Sequence, residues 1–143
     1  MSGGESVAAA ASFLWLGMVL AISFLETPLK FRAPEVTLRI GLGIGRLVFR
    51  ALNTVEVLLA SLVLVALGAG SPSGGAVVAL AAAVSVLAVQ LLLVRPRLTH
   101  RSNAVLAGED GPRSHAHVAY AALEAGKVIA LLIGGVLLFA ASG

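Results

Sequence analysis

The sequence predicts an all-α fold, a four-helix transmembrane bundle forming one integral membrane domain over residues 1–143, and three observations carry that reading. Hydrophobic residues make up 59% of the chain and charged residues 12%, with a mean hydropathy of +1.01, too apolar for a water-soluble domain. Four spans of about 20 residues each use roughly 80 positions and leave enough chain for two long connections, a tight turn and the tails. The ten basic residues fall into two groups, Lys30 to Arg50 and Arg95 to Lys127. Under the positive-inside rule both long connections face the cytoplasm, and the termini with the Gly70–Gly75 turn face outside.

The first span is expected at residues 7–25. It is longer than a signal-peptide core, and no Lys or Arg precedes it, so it reads as a retained helix. Trp15 within it reads as a packing or lipid-facing residue. Glu26-Thr27-Pro28 closes the span, and the chain to Pro34 reads as a broken interfacial connector. The second span, 42–69, is unusual because its strictly apolar part, Val57 to Ala69, is too short to cross alone. Extending it backward brings Arg46, Arg50 and Asn53 onto one face, with Glu56 at its edge. Gly70 to Gly75 is a turn.

The third span, 76–94, holds Gln90 as its one strongly polar side chain, and Arg95-Pro96-Arg97 is expected to stop it. A loop with His100, Arg101 and the acidic Gly108–Pro112 segment follows, and Ser114 is placed to cap the last helix. The fourth span, 116–141, repeats the peculiarity of the second. His117, Tyr120, Glu124 and Lys127 follow at steps of three, four and three, which keeps them on one face over about 15 Å of axial rise. His115 points away from that face.

The second and fourth helices run in the same direction, so matching depths pair Arg46 or Arg50 with Glu124, and Glu56 with Lys127, with Glu26 at the same end. An unpaired charge in hydrocarbon is costly, so one buried polar cluster is expected, lining a single cavity open to the cytoplasm. Its candidate residues are Glu26, Arg46, Arg50, Asn53, Glu56, Gln90, His117, Tyr120, Glu124 and Lys127. Three readings stay open for that cluster. It binds or carries a small solute, an ion or a proton; it fixes helix register in a structural or assembly subunit; or it serves a metal- or haem-dependent redox protein.

Several function classes are disfavoured. Without cysteine there is no disulfide framework and no thiolate nucleophile or metal site. Glu-x-x-His steps on paired helices, as in a di-iron bundle, are missing, and no cofactor is named. The high pI of 10.2 comes from charges interleaved with apolar segments, so no nucleic acid partner is expected. No Ser/His/Asp elbow appears, and the sequence favours a binding or transport protein over an enzyme without deciding between them. Gly41-x-Gly43-x-Gly45 lacks the preceding strand of a dinucleotide fold and reads as a helix-packing face. With Gly17/Ala21 and Ala122/Gly126 it gives more close-packing surface than four helices use internally, so a homodimer or a larger membrane complex is the expected partner beside the lipid bilayer.

The layout resembles the small four-span family typified by transmembrane protein 205. The residues carrying the resemblance are Pro28 and Phe31, Phe49 and Asn53, Arg95-Pro96 with Arg101, and His117. It implies a membrane protein, sometimes linked to drug or metal tolerance, with no agreed mechanism or site residues. The chain departs from that pattern in the prominence of Arg46, Arg50, Glu124 and Lys127. Its Ala-, Gly-, Val- and Arg-rich composition points to a bacterial inner membrane.

Overall fold

The computed structural model describes residues 2–107 and 115–140, the latter with side chains from residue 118 onward. Four long helices account for nearly all of them: α1 (Gly3–Lys30), α2 (Leu38–Ala69), α3 (Gly74–Leu106) and α4 (His115–Ala140). All four have stretches long and apolar enough to cross a bilayer, and the described residues contain no strand, as the fold class requires. The chain is an integral membrane protein.

Each helix buries a narrow stripe at alternating steps of four and three. In α1 it is Ala8, Ser12, Trp15 and Val19; in α2 it is Leu52, Glu56, Leu59, Val63 and Ala66. In α3 it is Ala76, Leu80, Ala83, Leu87, Gln90 and Val94; in α4 it is Tyr120, Glu124, Lys127, Leu131, Gly134 and Leu138. That spacing keeps one seam facing the neighbouring helices, as in left-handed bundles. Large apolar side chains such as Leu58, Val65, Leu92, Ile129 and Phe139 lie outside the seam and are exposed, which suits a lipid surround.

The two halves of the chain repeat one plan. The shift that carries Pro28 onto Pro96 also carries Glu56 onto Glu124, Trp15 onto Ala83, Leu52 onto Tyr120 and Val63 onto Leu131, each buried residue landing on a buried one. The hairpins α1–α2 and α3–α4 are therefore two versions of one unit. Packing between them is unequal. Helix α1 packs closely against both α2 and α4, and α3 against α4, whereas α2 and α3 meet only sparsely.

The structure corrects the expected helix ends. Neither Glu26-Thr27-Pro28 nor Arg95-Pro96-Arg97 stops its helix, so α1 runs on to Lys30 and α3 to Leu106, carrying His100 and Arg101 on helix. A proline lacks an N–H and crowds the carbonyl four residues back. In both helices a π-helical turn immediately upstream absorbs this: Leu20–Glu26 in α1 and Gln90–Val94 in α3. The Thr27 N–H reaches the Ile22 carbonyl, and the Arg95 N–H the Gln90 carbonyl, in the wider register. The non-helical connector is confined to residues 31–37 and turns at Glu35, which has a φ of 68°. The Ser114 cap, the acidic 108–112 segment, Ala141 and the side chains of His115 and His117 lie outside the described residues.

Of the three small-residue pairs, Gly41/Gly45 is used inside the chain. A Cβ on Gly41 would collide with the Phe31 ring, and one on Gly45 would lie 3.2 Å from Lys30 Nζ. The pairs Gly17/Ala21 and Ala122/Gly126 are exposed.

Gly134 and Gly126 test this packing. A Cβ at Gly134 would lie 2.5 Å from Leu80, itself fully buried, so Gly134→Val should lower stability by about 1–3 kcal/mol. A Cβ at Gly126 meets nothing within 4 Å, so Gly126→Ala should be neutral or stabilise by up to about 1 kcal/mol. Thermal unfolding of the purified variants in nanodiscs measures both.

Candidate functional site

The buried polar stripes of α2 and α4 meet at the bundle centre. Lys127 Nζ is ion-paired with Glu56 Oε2 and lies 2.6 Å from Glu124 Oε1, with 0–2% of the three side chains exposed. It also donates to Gln90 Oε1 at 2.8 Å. Trp15 Nε1 donates to the same Glu56 oxygen at 2.8 Å. Glu124 accepts from Ser23 Oγ at 2.6 Å through Oε2, and from Gln90 Nε2 at 3.2 Å through Oε1. All four helices thus contribute: Trp15 and Ser23 from α1, Glu56 from α2, Gln90 from α3, Glu124 and Lys127 from α4. Two carboxyl groups against one ammonium leave the cluster one cation short of neutrality, and hydrogen-bond donors from α1 and α3 help hold the second.

Ser23 lies within the π turn of α1 and Gln90 begins that of α3. Both side chains point inward onto Glu124, and π turns recur at functional sites.

The expected partnering holds for Glu56 with Lys127 and is corrected for Glu124. Glu124 pairs with Lys127, one helical turn along its own helix, and not with Arg46 or Arg50. Those two arginines make no ion pair among the described residues. Their helix face turns away from the centre as Glu56 turns toward it, because residues ten and six positions apart on a 3.6-residue helix are displaced well around the wheel. Glu26 also stays outside the cluster, 3.7 Å from Lys30 on its own helix.

The expected single cavity is divided in two. One space, about 580 Å³, lies at the basic end of the bundle; Lys30, Arg46, Arg95 and Arg101 stand on its wall, with Glu124 and Tyr120 at its inner side. The other, about 720 Å³, is a groove between α2 and α3 lined by Arg46, Arg50, Asn53 and Arg95. Glu56, Gln90 and Lys127 line neither. Arg95 stands between the two spaces. Its guanidinium lies 4.9 Å from the Tyr120 ring centre and 5.4 Å from that of Phe49, and Nη2 donates to the Tyr120 hydroxyl at 3.1 Å. Phe49 and Tyr120 meet edge to face at 6.1 Å.

Sequence reasoning missed Trp15, Ser23 and Arg95 as site residues. Trp15 sits one helical turn from Ser12 on the buried stripe, a weak signal within an apolar run. Among the described residues no group of three or more His, Asp or Glu side chains is placed to hold a metal ion.

Removing the shared cation should be far costlier than removing one carboxylate. Lys127→Met strands Glu56 and Glu124 together and should destabilise the protein by about 3–5 kcal/mol, whereas Glu124→Gln leaves Lys127 paired with Glu56 and should cost clearly less. Adding Glu56→Met to Lys127→Met should recover much of the loss, since Glu124 keeps Ser23 and Gln90. Unfolding midpoints of the three variants in nanodiscs check the order. Compared with known protein families, characterised proteins and solved structures, the chain matches none.

Proposed function

We propose that this membrane protein binds a small amphipathic organic anion in the space at its basic end, the buried ion cluster forming the inner boundary of that site. The observation that carries this reading is the cavity itself. Its volume of about 580 Å³ falls in the range of small-molecule sites. Among the described residues four cationic side chains and one carboxylate line it, and that carboxylate, Glu124, shares Lys127 with Glu56, so the lining is net cationic. Apolar side chains including Phe24, Leu42 and Leu98 supply the rest of the wall. Two polar groups on that wall, Ser102 Oγ and Arg101 Nε, are buried without a partner among the described residues, as groups awaiting an acceptor would be.

Octanoate is a suitable probe. With purified protein in nanodiscs it should raise the unfolding midpoint saturably, and Arg101→Gln should abolish the rise. An equal rise with octylamine, or no rise with either compound, would sink this reading.

A second reading rests on a separate observation. Lys127 has no exposed surface and touches neither space, so the ion cluster also serves to fix the register of α2 against α4. The two roles are compatible, one central and one toward the basic end.

The orientation proposed from the charge distribution puts the basic end in the cytoplasm of a bacterial cell and both termini outside the inner membrane. Alkaline phosphatase fused after Gly143 should be active. An inactive fusion, beside an active cytoplasmic reporter at the same point, reverses the orientation.

A further inference from the structure

The geometry points to a second site, the groove between α2 and α3, as the seat of one anionic glycerophospholipid whose phosphate is held by Arg46, Arg50 and Arg95. This goes beyond the small-solute reading and uses a different opening. The repeat of two hairpins creates two equivalent seams. The α1–α4 seam is closed by direct packing, and the α2–α3 seam is open to about 720 Å³. Where the open seam carries Arg50, Asn53 and Arg95, the repeat-related positions hold Val118, Ala121 and Thr27. The seam that fails to close is the one with the cations.

Depth identifies the ligand. Helix α2 has 32 residues, about 48 Å at 1.5 Å each, against a hydrocarbon core of about 30 Å. With the Gly70–Gly75 turn at one face of the core, the other face falls near Arg50, so Arg50 and Arg46 lie at glycerol and phosphate level. Helix α3 is 33 residues long, and the same measure puts its core boundary close to Arg95. Three arginines from two helices then line the groove at headgroup depth, with no acidic residue among its described lining residues. Neither Arg46 nor Arg50 has an ion-pair partner among the described residues. Deeper in the groove Val57 and Leu91 offer an apolar wall, and Leu47 and Val57 are exposed on the outer surface, so an acyl chain enters from the side. A phosphate from water would use the arginines and leave that wall uncovered. Asn53 sits one turn below Arg50 on the groove wall, where its Nδ2 can donate to a glycerol ester carbonyl.

The test uses the full chain in nanodiscs of equal phosphatidylglycerol and phosphatidylcholine with identical acyl chains, followed by native mass spectrometry of the retained lipid. Phosphatidylglycerol should be retained over phosphatidylcholine by at least about fivefold, the factor one arginine near a headgroup supplies. Arg50→Gln, at an exposed position away from the ion cluster, should cut that preference about fivefold, and Arg97→Gln, exposed at the same end but off the groove, should leave it unchanged. Equal retention of the two lipids overturns the proposal. So does an undiminished preference in Arg50→Gln, or an equal loss in Arg97→Gln, which would mark bulk charge attraction. Displacement of the lipid by millimolar glycerol 3-phosphate would assign the arginines to a water-borne anion and overturn it as well.

Discussion

Hydrocarbon offers an ammonium group no partner of its own, and Lys127 lies in the centre of the bundle with none of its surface exposed. Every helix is arranged around satisfying it and the two carboxylates it joins. The ion pair from α4 to Glu56 crosses the bundle and ties the depth of α4 to that of α2. A slip of one turn, about 5.4 Å, would leave Glu56 without its cation while Lys127 stayed with Glu124 on α4, so the register is selected by a few kcal/mol where apolar seams alone discriminate weakly. Trp15, Ser23 and Gln90 complete the shell from the other two helices.

The π turns connect this centre to the basic end. Each precedes a proline, each supplies a side chain to Glu124, and each lets its helix continue beyond the proline to carry basic residues onto the wall of the outer space. A strict α-helix broken at Pro28 or Pro96 would lose both effects together. Relief of proline strain and the polar shell thus share the same stretch of each helix, Ser23 lying within the first turn and Gln90 opening the second.

The fold was legible because membrane helices announce themselves by length and hydropathy, and the α4 stripe because steps of three and four keep Tyr120, Glu124 and Lys127 on one face. The Glu56–Lys127 pair followed from matched depth on parallel helices. Three things were hidden. Glu124 had a competitor on its own helix, Lys127, closer than any arginine on α2, and a wheel projection of separate helices does not rank such competitors. Trp15 and Ser23 look like ordinary members of an apolar run, and only the three-dimensional seam distinguishes a donor aimed at a carboxylate from one aimed at lipid. Helix continuation past Pro28 and Pro96 was misread because proline is an α-helix breaker, while a π turn changes the hydrogen-bond register it disturbs.

The placement of the lysine in one hairpin only has a consequence in time. The repeat puts Leu59 where the second hairpin has Lys127, so the half of the chain that is synthesised first carries Glu56 without its cation. On leaving the ribosome α2 enters the bilayer at a penalty of about 3 kcal/mol for that one residue, borne by its long apolar run and by the Trp15 N–H. Two first hairpins meeting in the membrane would set carboxylate against carboxylate, so they gain nothing by associating. The second hairpin arrives with the missing charge. Its insertion brings Lys127 to Glu56, so the charge that α2 carries into the bilayer is met only once α4 is beside it.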